Sequence, residues 1–348
     1  MKLNIEQIRE ITRGAVRIAE EQDGVHFYRF TKGQEELYRN VSNDFFVKSQ
    51  ATAGIRIEFL TDSKTLEIKT KISPGSSRTY FAFDVFINGT LHGCLANFNE
   101  EDVAENYIAV EYEQGNFSKT FSLGEGEKTV SIYFPWSVAV VIEELNLDDG
   151  AFARPTRKRK NLLVYGDSIT QGYDALRPSH RYASRIADAF GLEEVNKAIG
   201  GEVHRAALAE KKDDFIPDCI VVAYGTNDWS KCPKADVKAN CEGFYKALCH
   251  HYPDTPILTI APIWRKDGQD YREFGTFYEM EELIRETVKP YENITVISGY
   301  DFVPKEEKYF ADKRLHPNDV GFEYYFHNLN KAITKGDYKG WNRSLFHG

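Results

Sequence analysis

The chain has 348 residues, and 44 Lys and Arg stand against 53 Asp and Glu, which gives a formal net charge of −9 at pH 7. This acidic balance, with a pI near 5.6, argues against a nucleic-acid partner, because phosphate contacts need a concentrated basic patch. No stretch has the apolar length that crosses a bilayer, and residues 1–7 lack the basic start and apolar core of a signal peptide. We therefore expect a cytoplasmic protein with no membrane partner.

The five cysteines form no CxxC pair, and two of them share an amphipathic helix pattern with Phe244 and Leu248. This spacing favours reduced thiols over a metal site or a disulfide framework. They are Cys94, Cys219, Cys232, Cys241 and Cys249.

The length of the chain favours two domains, and the pattern of the first half is β. Apolar and polar residues alternate with period 2 in short runs, and Asp23-Gly24 and Asn88-Gly89 supply hairpin turns. We predict a β-sandwich or jelly-roll domain over residues 1–153, with a helix over residues 5–17. The basic run at 154–160 is predicted to be a solvated linker.

From residue 161 onward, short apolar strands alternate with helical patterns, which is typical of a parallel sheet with crossover helices. We predict a three-layer α/β/α domain of flavodoxin-like type over residues 161–348. Sheets of this kind bind ligands beyond the carboxyl ends of their strands. The predicted strands cover residues 162–165, 194–198, 219–224, 257–261 and 294–298.

The first of these strands runs into Gly166-Asp167-Ser168, a glycine turn that carries a serine. A sharp turn at a sheet edge can lift a serine hydroxyl toward a base and oxyanion donors. The same run is also what a helix with a serine N-cap looks like, so the motif alone leaves both interpretations open.

Other polar residues are predicted to lie at the same edge. Gly200-Gly201 follow the second strand, Asn227-Asp228 follow the third, and His316 precedes the last helix. Each alone is explained by a tight turn, an Asx turn or an ordinary loop histidine. Together they supply the hydroxyl, imidazole and N–H donors that acyl transfer needs in one place.

These blocks resemble those of the SGNH hydrolases, also called GDSL-type esterases and lipases, over residues 161–336. The resemblance implies that Ser168 is the nucleophile and His316 the general base. It also implies an oxyanion hole made by the backbone N–H groups of Ser168 and Gly201 with the side-chain amide of Asn227, and no metal or cofactor. The chain has no G-x-S-x-G elbow, which disfavours the α/β-hydrolase fold.

One position departs from the family pattern. The family usually has its triad aspartate three residues before the histidine, where this chain has Lys313, and Asp312 lies four residues before His316. A one-residue bulge would leave Asp312 as the third member of the triad. A Ser–His dyad whose ring is oriented by a backbone carbonyl is the alternative.

A β domain followed by an SGNH domain resembles the arrangement of some acetyl esterases that act on carbohydrates. Trp229 and Trp264 follow strand ends and could stack on a sugar ring. We therefore expect a serine esterase that removes a short acyl group, acetyl in the first instance, from an oligosaccharide or small soluble alcohol. The alternatives are a carbohydrate-binding protein with an inactive SGNH domain, and a thioesterase or lysophospholipase. The oligomeric state is not predicted.

Overall fold

The computed structural model describes residues 1–99, 101, 103–336, 338 and 341. Its first half contains two antiparallel sheets. Their strands are β1 (Thr12–Arg13), β2 (Arg17–Glu21), β3 (Gly24–Tyr28), β4 (Arg56–Thr61), β5 (Thr65–Pro74), β6 (Ala82–Ile87), β7 (Thr90–Ala96), β8 (Gly115–Ser122), β9 (Lys128–Tyr133), β10 (Val138–Leu147) and β11 (Arg154–Pro155).

The two sheets pack face to face as a β-sandwich, as predicted. One has the order β1-β4-β9-β6-β7, with β11 also paired to β4, and the other has the order β2-β3-β10-β5-β8. Side chains are buried alternately along β5 and β9, because period-2 patterning turns one face of each strand inward. Phe59 and Val130 from the first sheet share a core cluster with Ile68 and Val140 from the second.

The predicted hairpin turn at Asn88-Gly89 is confirmed. It joins β6 to β7, and its two residues have φ values of 50° and 79°. A type I′ turn needs φ above zero at both positions, and Asn followed by Gly is the residue pair that accepts this most readily.

Among the described residues, three α-helices accompany the sandwich: α1 (Ile5–Ile11), α2 (Lys32–Val41) and α3 (Asn43–Ser49). α1 is shorter than the predicted 5–17, because residues 12 and 13 pair with β4 instead. α2 and α3 were not predicted, since they bury few apolar residues of their own. Tyr38 of α2 packs into the core of the second half of the chain.

The second half is a parallel sheet between two layers of helices. Its elements are β12 (Lys160–Gly166), α4 (Ser168–Gln171), α5 (Tyr182–Ala189), β13 (Leu192–Asn196), α6 (Ala206–Ala209), β14 (Cys219–Ala223), α7 (Thr226–Lys231), α8 (Lys234–His251), β15 (Ile257–Ala261), α9 (Tyr278–Val288), β16 (Ile294–Ser298) and α10 (Asp319–Lys335). The five strands have the order β13-β12-β14-β15-β16 and all pair in parallel. The predicted five-stranded parallel sheet is confirmed, and its order is flavodoxin-like.

The central strand β12 shows why these strands read as continuous apolar runs. Leu163 and Tyr165 point into the core beneath α8 and α9, whereas Leu162 and Val164 point into the core beneath α5 and α10. A parallel strand that is covered by helices on both faces has no face toward solvent, so its apolar residues do not alternate with polar ones.

The basic segment 154–160 joins the two halves. Its residues are mostly exposed, as a solvated linker would be, but Arg154 and Pro155 pair with β4. Arg159 donates from its guanidinium to Glu58 (Nη2–Oε1 3.2 Å) and from its backbone N–H to Glu193 (2.8 Å). The placement of the domain boundary at 153–161 stays a prediction.

Within the described ranges, no helix is both long and apolar enough to cross a membrane. No disulfide joins the five cysteines, all of which lie in those ranges.

Candidate active site

The serine of the glycine turn lies at the first residue of α4, at the carboxyl end of β12. The N-cap is Asp167 rather than Ser168, because the Asp167 carboxylate accepts the Ile169 N–H at 3.0 Å. A side chain at Gly166 would lie only 2.3 Å from the Thr170 hydroxyl, so the turn requires glycine here. The Ser168 hydroxyl is therefore not used as the helix cap, and the alternative raised by the sequence does not hold.

The structure brings Ser168, His316 and Asp312 into one hydrogen-bonded chain. His316 lies with its Nε2 2.9 Å from the Ser168 Oγ and its Nδ1 2.8 Å from the Asp312 Oδ2. This is the arrangement in which an imidazole takes the proton of a hydroxyl while a carboxylate fixes its tautomer. A carboxylate, and not a backbone carbonyl, is hydrogen-bonded to Nδ1.

The extra residue in the histidine loop is absorbed by Lys313. Lys313 is exposed and has a φ of 55°, in the left-handed backbone region that residues other than Gly rarely adopt. The bulge turns the backbone so that Asp312 Oδ1 accepts the N–H groups of Arg314, Leu315 and His316 at 2.9, 2.7 and 3.0 Å. The loop thus places the carboxylate on His316 despite the longer spacing.

The Asp312 carboxylate is strongly favoured in its charged form. Burial acts to raise the pKa of Asp312, but the hydrogen bond and charge of His316 and the loop N–H groups outweigh it, so the pKa lies well below its usual range. The group next to Nδ1 is therefore ionised at any pH near neutrality.

Two of the predicted oxyanion donors follow the strands that flank β12. Gly201 follows β13 and Asn227 lies in α7 after β14, and β12 is hydrogen-bonded to both strands. One N–H of the Asn227 amide donates to the Glu202 carbonyl at 3.1 Å, which leaves the second N–H of that amide for another acceptor. Gly201 has a φ of 89°, and Lys231 donates to its carbonyl at 3.0 Å.

Buried side chains hold the segment around Gly201 through hydrogen bonds. The Asp228 Oδ1 accepts both the backbone N–H and the Nδ1–H of His204, at 3.0 and 2.9 Å. Arg29, from the end of β3, donates to the carbonyls of Asn196 and Ala198 at 3.1 and 2.8 Å. The segment 196–204, which carries Gly201, is thus held by residues from both halves of the chain.

The two tryptophans predicted to bind substrate differ. Trp229 is fully buried, its Nε1 donates to the Gly275 carbonyl at 3.1 Å, and its ring packs on Phe277. The structure contradicts the expectation for Trp229, because no face of its ring is open to a ligand. Trp264 is half-buried and lies against Phe310, whose segment leads into the histidine loop.

Sequence reasoning missed a second carboxylate. The Asp174 Oδ2 lies 3.6 Å from the His316 Nδ1, and Asp174 is paired with Arg78 from the β-sandwich. The ring of Tyr173 lies between His316 and Trp136, at centroid distances of 5.6 and 5.0 Å. Asp174 lies six residues after Ser168, but nothing in its spacing indicates that it folds back onto the histidine.

Asp167 is the other unusual carboxyl group. It is buried behind Ser168, and burial raises the pKa of Asp167 to about 7. A small pocket of about 20 Å³ lies beside it, lined also by Ile169 and Tyr224.

A larger groove of about 990 Å³ lies between the sandwich and helices α5 and α10, lined by Tyr133, Arg185 and Phe326 among others. Neither Ser168 nor His316 lines it, so we place the candidate site on hydrogen-bond geometry and not on cavity size.

Comparison with known proteins identifies the second half of the chain. Residues 164–324 match the model of the GDSL-like Lipase/Acylhydrolase family. This domain belongs to that family. Together with the hydrogen bond between Ser168 and His316, this match identifies the chain as a serine ester hydrolase. No curated protein matches the chain.

Solved structures share the fold over both halves. The salicylyl-acyltransferase SsfX3 from a tetracycline biosynthetic pathway has a TM-score of 0.74 at 20% identity, with 92% of each chain covered. A putative GDSL-like lipase from Bacteroides ovatus has a TM-score of 0.73 at 21% identity, covering 94% of this chain and 96% of the other. A family two carbohydrate esterase from Clostridium thermocellum, solved with cellohexaose, has a TM-score of 0.63 at 13% identity, covering 82% and 93%.

Proposed function

We propose that this GDSL-like esterase removes a short acyl group, with acetyl as the first candidate, from a carbohydrate or related soluble alcohol through an acyl-enzyme on Ser168. The observation that carries the proposal is the hydrogen-bonded chain from Ser168 through His316 to Asp312, with distances of 2.9 and 2.8 Å. The catalytic groups of the proposed reaction are side chains and backbone N–H groups of this chain, and water is the second substrate.

In the first half-reaction, the Ser168 Oγ attacks the ester carbonyl carbon while its proton passes to the His316 Nε2. The tetrahedral intermediate carries its negative charge on the former carbonyl oxygen, which the N–H groups of Ser168, Gly201 and Asn227 would hold. Collapse breaks the bond to the alcohol oxygen, which leaves with the proton from Nε2. Water then attacks the acyl-enzyme by the same route and releases the acid.

Asp312 has a definite task in this scheme. When His316 takes the proton it becomes an imidazolium, and the ionised Asp312 beside Nδ1 stabilises that charge and holds the ring with Nε2 toward Ser168. The depressed pKa of Asp312 keeps the carboxylate charged throughout the cycle.

Two observations support a carbohydrate alcohol. The Clostridium thermocellum esterase, which shares the two-part fold, was solved with cellohexaose. Trp264 is half-buried next to Phe310, so part of its side chain is exposed near the histidine loop. Stacking on an aromatic ring is a common way for a protein to hold a sugar.

The deciding experiment compares Ser168→Ala with the wild type on p-nitrophenyl acetate and on an acetylated oligosaccharide. Acetate release should fall by at least about 10⁴-fold, since removal of the nucleophile leaves only the contribution of the oxyanion donors and binding. Ser118→Ala, at an exposed serine of β8, is the matched control and should keep full activity. Equal turnover by Ser168→Ala would disprove the proposal.

The acyl and alcohol preferences are tested with the same proteins. A p-nitrophenyl ester series from acetate to octanoate should show the highest kcat/KM at acetate. A preference for octanoate, for acyl-CoA or for a lysolipid would replace the carbohydrate esterase by a thioesterase or lysophospholipase. Oligosaccharide binding without any turnover by the wild type would favour an inactive binding protein instead.

A further inference from the structure

Asp174 is a buried carboxylate in an uncommon backbone conformation. It follows α4, is fully buried, and has a φ of 74°. A residue other than Gly in the left-handed region is strained, and a buried carboxylate is costly unless it is paired. Arg78 compensates part of this cost, because its Nε and Nη2 donate to the two carboxylate oxygens of Asp174 at 2.7 and 3.2 Å.

The pair of Asp174 and Arg78 lies next to the catalytic histidine. The Asp174 Oδ2 lies 3.6 Å from the His316 Nδ1, the same nitrogen that Asp312 contacts at 2.8 Å. A second buried pair, Arg177 with Asp84, also joins the two halves, at 2.7 Å. In that pair, the Asp84 carboxylate accepts from Arg177 and Ser179, so joining the halves by a buried ion pair does not by itself require a carboxylate at the imidazole.

Tyr107 fixes Asp174 from the sandwich side. Its hydroxyl donates to the Asp174 carbonyl at 2.5 Å, and its own ring packs on Tyr80. Backbone and carboxylate of Asp174 are therefore both held by residues of the first half of the chain.

We propose that Asp174 is a positioning residue for the catalytic step: a second carboxylate on the imidazole whose charge stabilises the imidazolium, with Arg78 of the β-sandwich limiting that effect. The inference rests on the proposed function, in which His316 is the base. It gives the sandwich a role at the site itself, because the charge balance at His316 depends on a residue that the sandwich supplies.

The groups that face His316 fix the direction of the expected change. Asp312 lies on its own loop, Asp174 and Tyr173 on the segment after α4, and Ser168 and the buried Asp167 at the end of β12. The base must be neutral to act, so kcat/KM falls at acid pH, and the position of this acid limb of the pH profile reports how strongly the imidazolium is stabilised. Removing the charge of Asp174 leaves Arg78 uncompensated and destabilises the imidazolium, whereas removing the charge of Arg78 stabilises it.

The test is the acid limb of kcat/KM for p-nitrophenyl acetate in Asp174→Asn and Arg78→Gln. We expect the limb of Asp174→Asn to move about 1 pH unit lower, with kcat reduced about tenfold. The limb of Arg78→Gln should move to higher pH. Arg177→Gln is the matched control, since it weakens the other buried pair and should lower the urea midpoint while leaving the limb in place.

An unmoved limb in Asp174→Asn, or limbs that move in the same direction in both variants, would overturn the inference. Should Asp174→Asn fail to fold, Arg78→Gln alone decides, because a limb at the wild-type pH contradicts the role. Ser168→Ala is measured alongside: activity in that variant would disprove the proposed function, whereas a failure confined to Asp174 and Arg78 would leave it standing.

Discussion

The two halves of the molecule place their charged groups at the candidate site in different ways. In the parallel-sheet half, two carboxylates make local contacts: Asp312 and His316 are four residues apart, and Asp167 accepts the N–H of Ile169, two residues on. The charges that join the halves are distant in sequence, since Arg78 and Asp174 are 96 residues apart.

The difference has a physical origin. Where a strand ends in a turn, the backbone geometry fixes the positions of the polar residues that follow it. The catalytic residues therefore lie in short sequence motifs. A buried pair between two layers depends on how the layers pack, and only the folded chain brings its members together. The four predictions below test this contrast, from the largest expected effect to the smallest.

The distant pairs should matter most for stability. Arg177→Ala leaves Asp84 buried without its guanidinium partner, although Ser179 still donates to it from Oγ at 2.6 Å. We expect a loss of about 3 kcal/mol in the free energy of unfolding, measured by urea denaturation. Arg9→Ala removes an exposed pair with Glu6 and should cost less than about 0.5 kcal/mol. Equal losses in the two variants would remove the contrast between buried distant pairs and surface pairs.

The local carboxylate should matter most for turnover. Asp312→Ala is expected to lower kcat about 10²-fold, less than the ~10⁴-fold effect of a lone orienting carboxylate, because Asp174 still lies near Nδ1. The double variant with Asp174→Asn should lose about 10⁴-fold. Steady-state kinetics on p-nitrophenyl acetate measures both. A loss below tenfold in Asp312→Ala would remove it from the triad, and strictly multiplicative losses would show that the two carboxylates act independently.

A third prediction concerns pH and stability. Because burial raises the pKa of Asp167 to about 7, the folded protein holds a proton there between about pH 4 and 7 that the unfolded chain has lost. Stability should therefore fall as pH rises through this window, by up to about 1.4 kcal/mol per pH unit from this group.

Asp167→Asn should remove that slope, since an amide oxygen can still accept the Ile169 N–H. Urea denaturation at several pH values from 4.5 to 8 checks this, with the exposed Asp254→Asn as the control. A slope in Asp167→Asn as steep as that of the wild type would contradict the burial argument.

The smallest effect is expected at the histidine loop. Lys313 has a positive φ, so Lys313→Gly relieves strain while Lys313→Val adds to it. We expect the two variants to differ by about 1 kcal/mol in unfolding free energy, with Gly the more stable. Thermal denaturation measures the difference, and kcat should remain near that of the wild type in Lys313→Gly. A Val variant as stable as the Gly variant would mean that the bulge is not held in the left-handed region.

The same contrast explains what the sequence could predict. The five parallel strands, the sandwich and the positions of Ser168, Gly201, Asn227 and His316 at one sheet edge follow from periodicity and from strand-end motifs. Strands β15 and β16 have the predicted bounds, because an apolar run between turn residues leaves little choice. These features depend on neighbours within a few residues.

What the sequence did not predict depends on packing between the halves. α2 and α3 bury their few inward residues against the other half of the chain, so their own pattern is too polar to stand out. Trp229 was expected at the surface of the site because it follows a strand end, yet α7 turns its ring into the core. Asp174 needed a positive φ and a partner 96 residues away, neither of which leaves a signal in spacing.

The exposed bulge at Lys313 has a consequence for recognising such proteins. A pattern that fixes the distance between aspartate and histidine at three residues would discard this chain, although its carboxylate and imidazole are hydrogen-bonded. One inserted residue in the left-handed region leaves both ends of the loop in place, so the count between them can change while the chemistry stays. Searches for this site should therefore accept an aspartate three or four residues before the histidine. At the longer spacing, they should ask whether the residue after the aspartate is polar and exposed, as Lys313 is here.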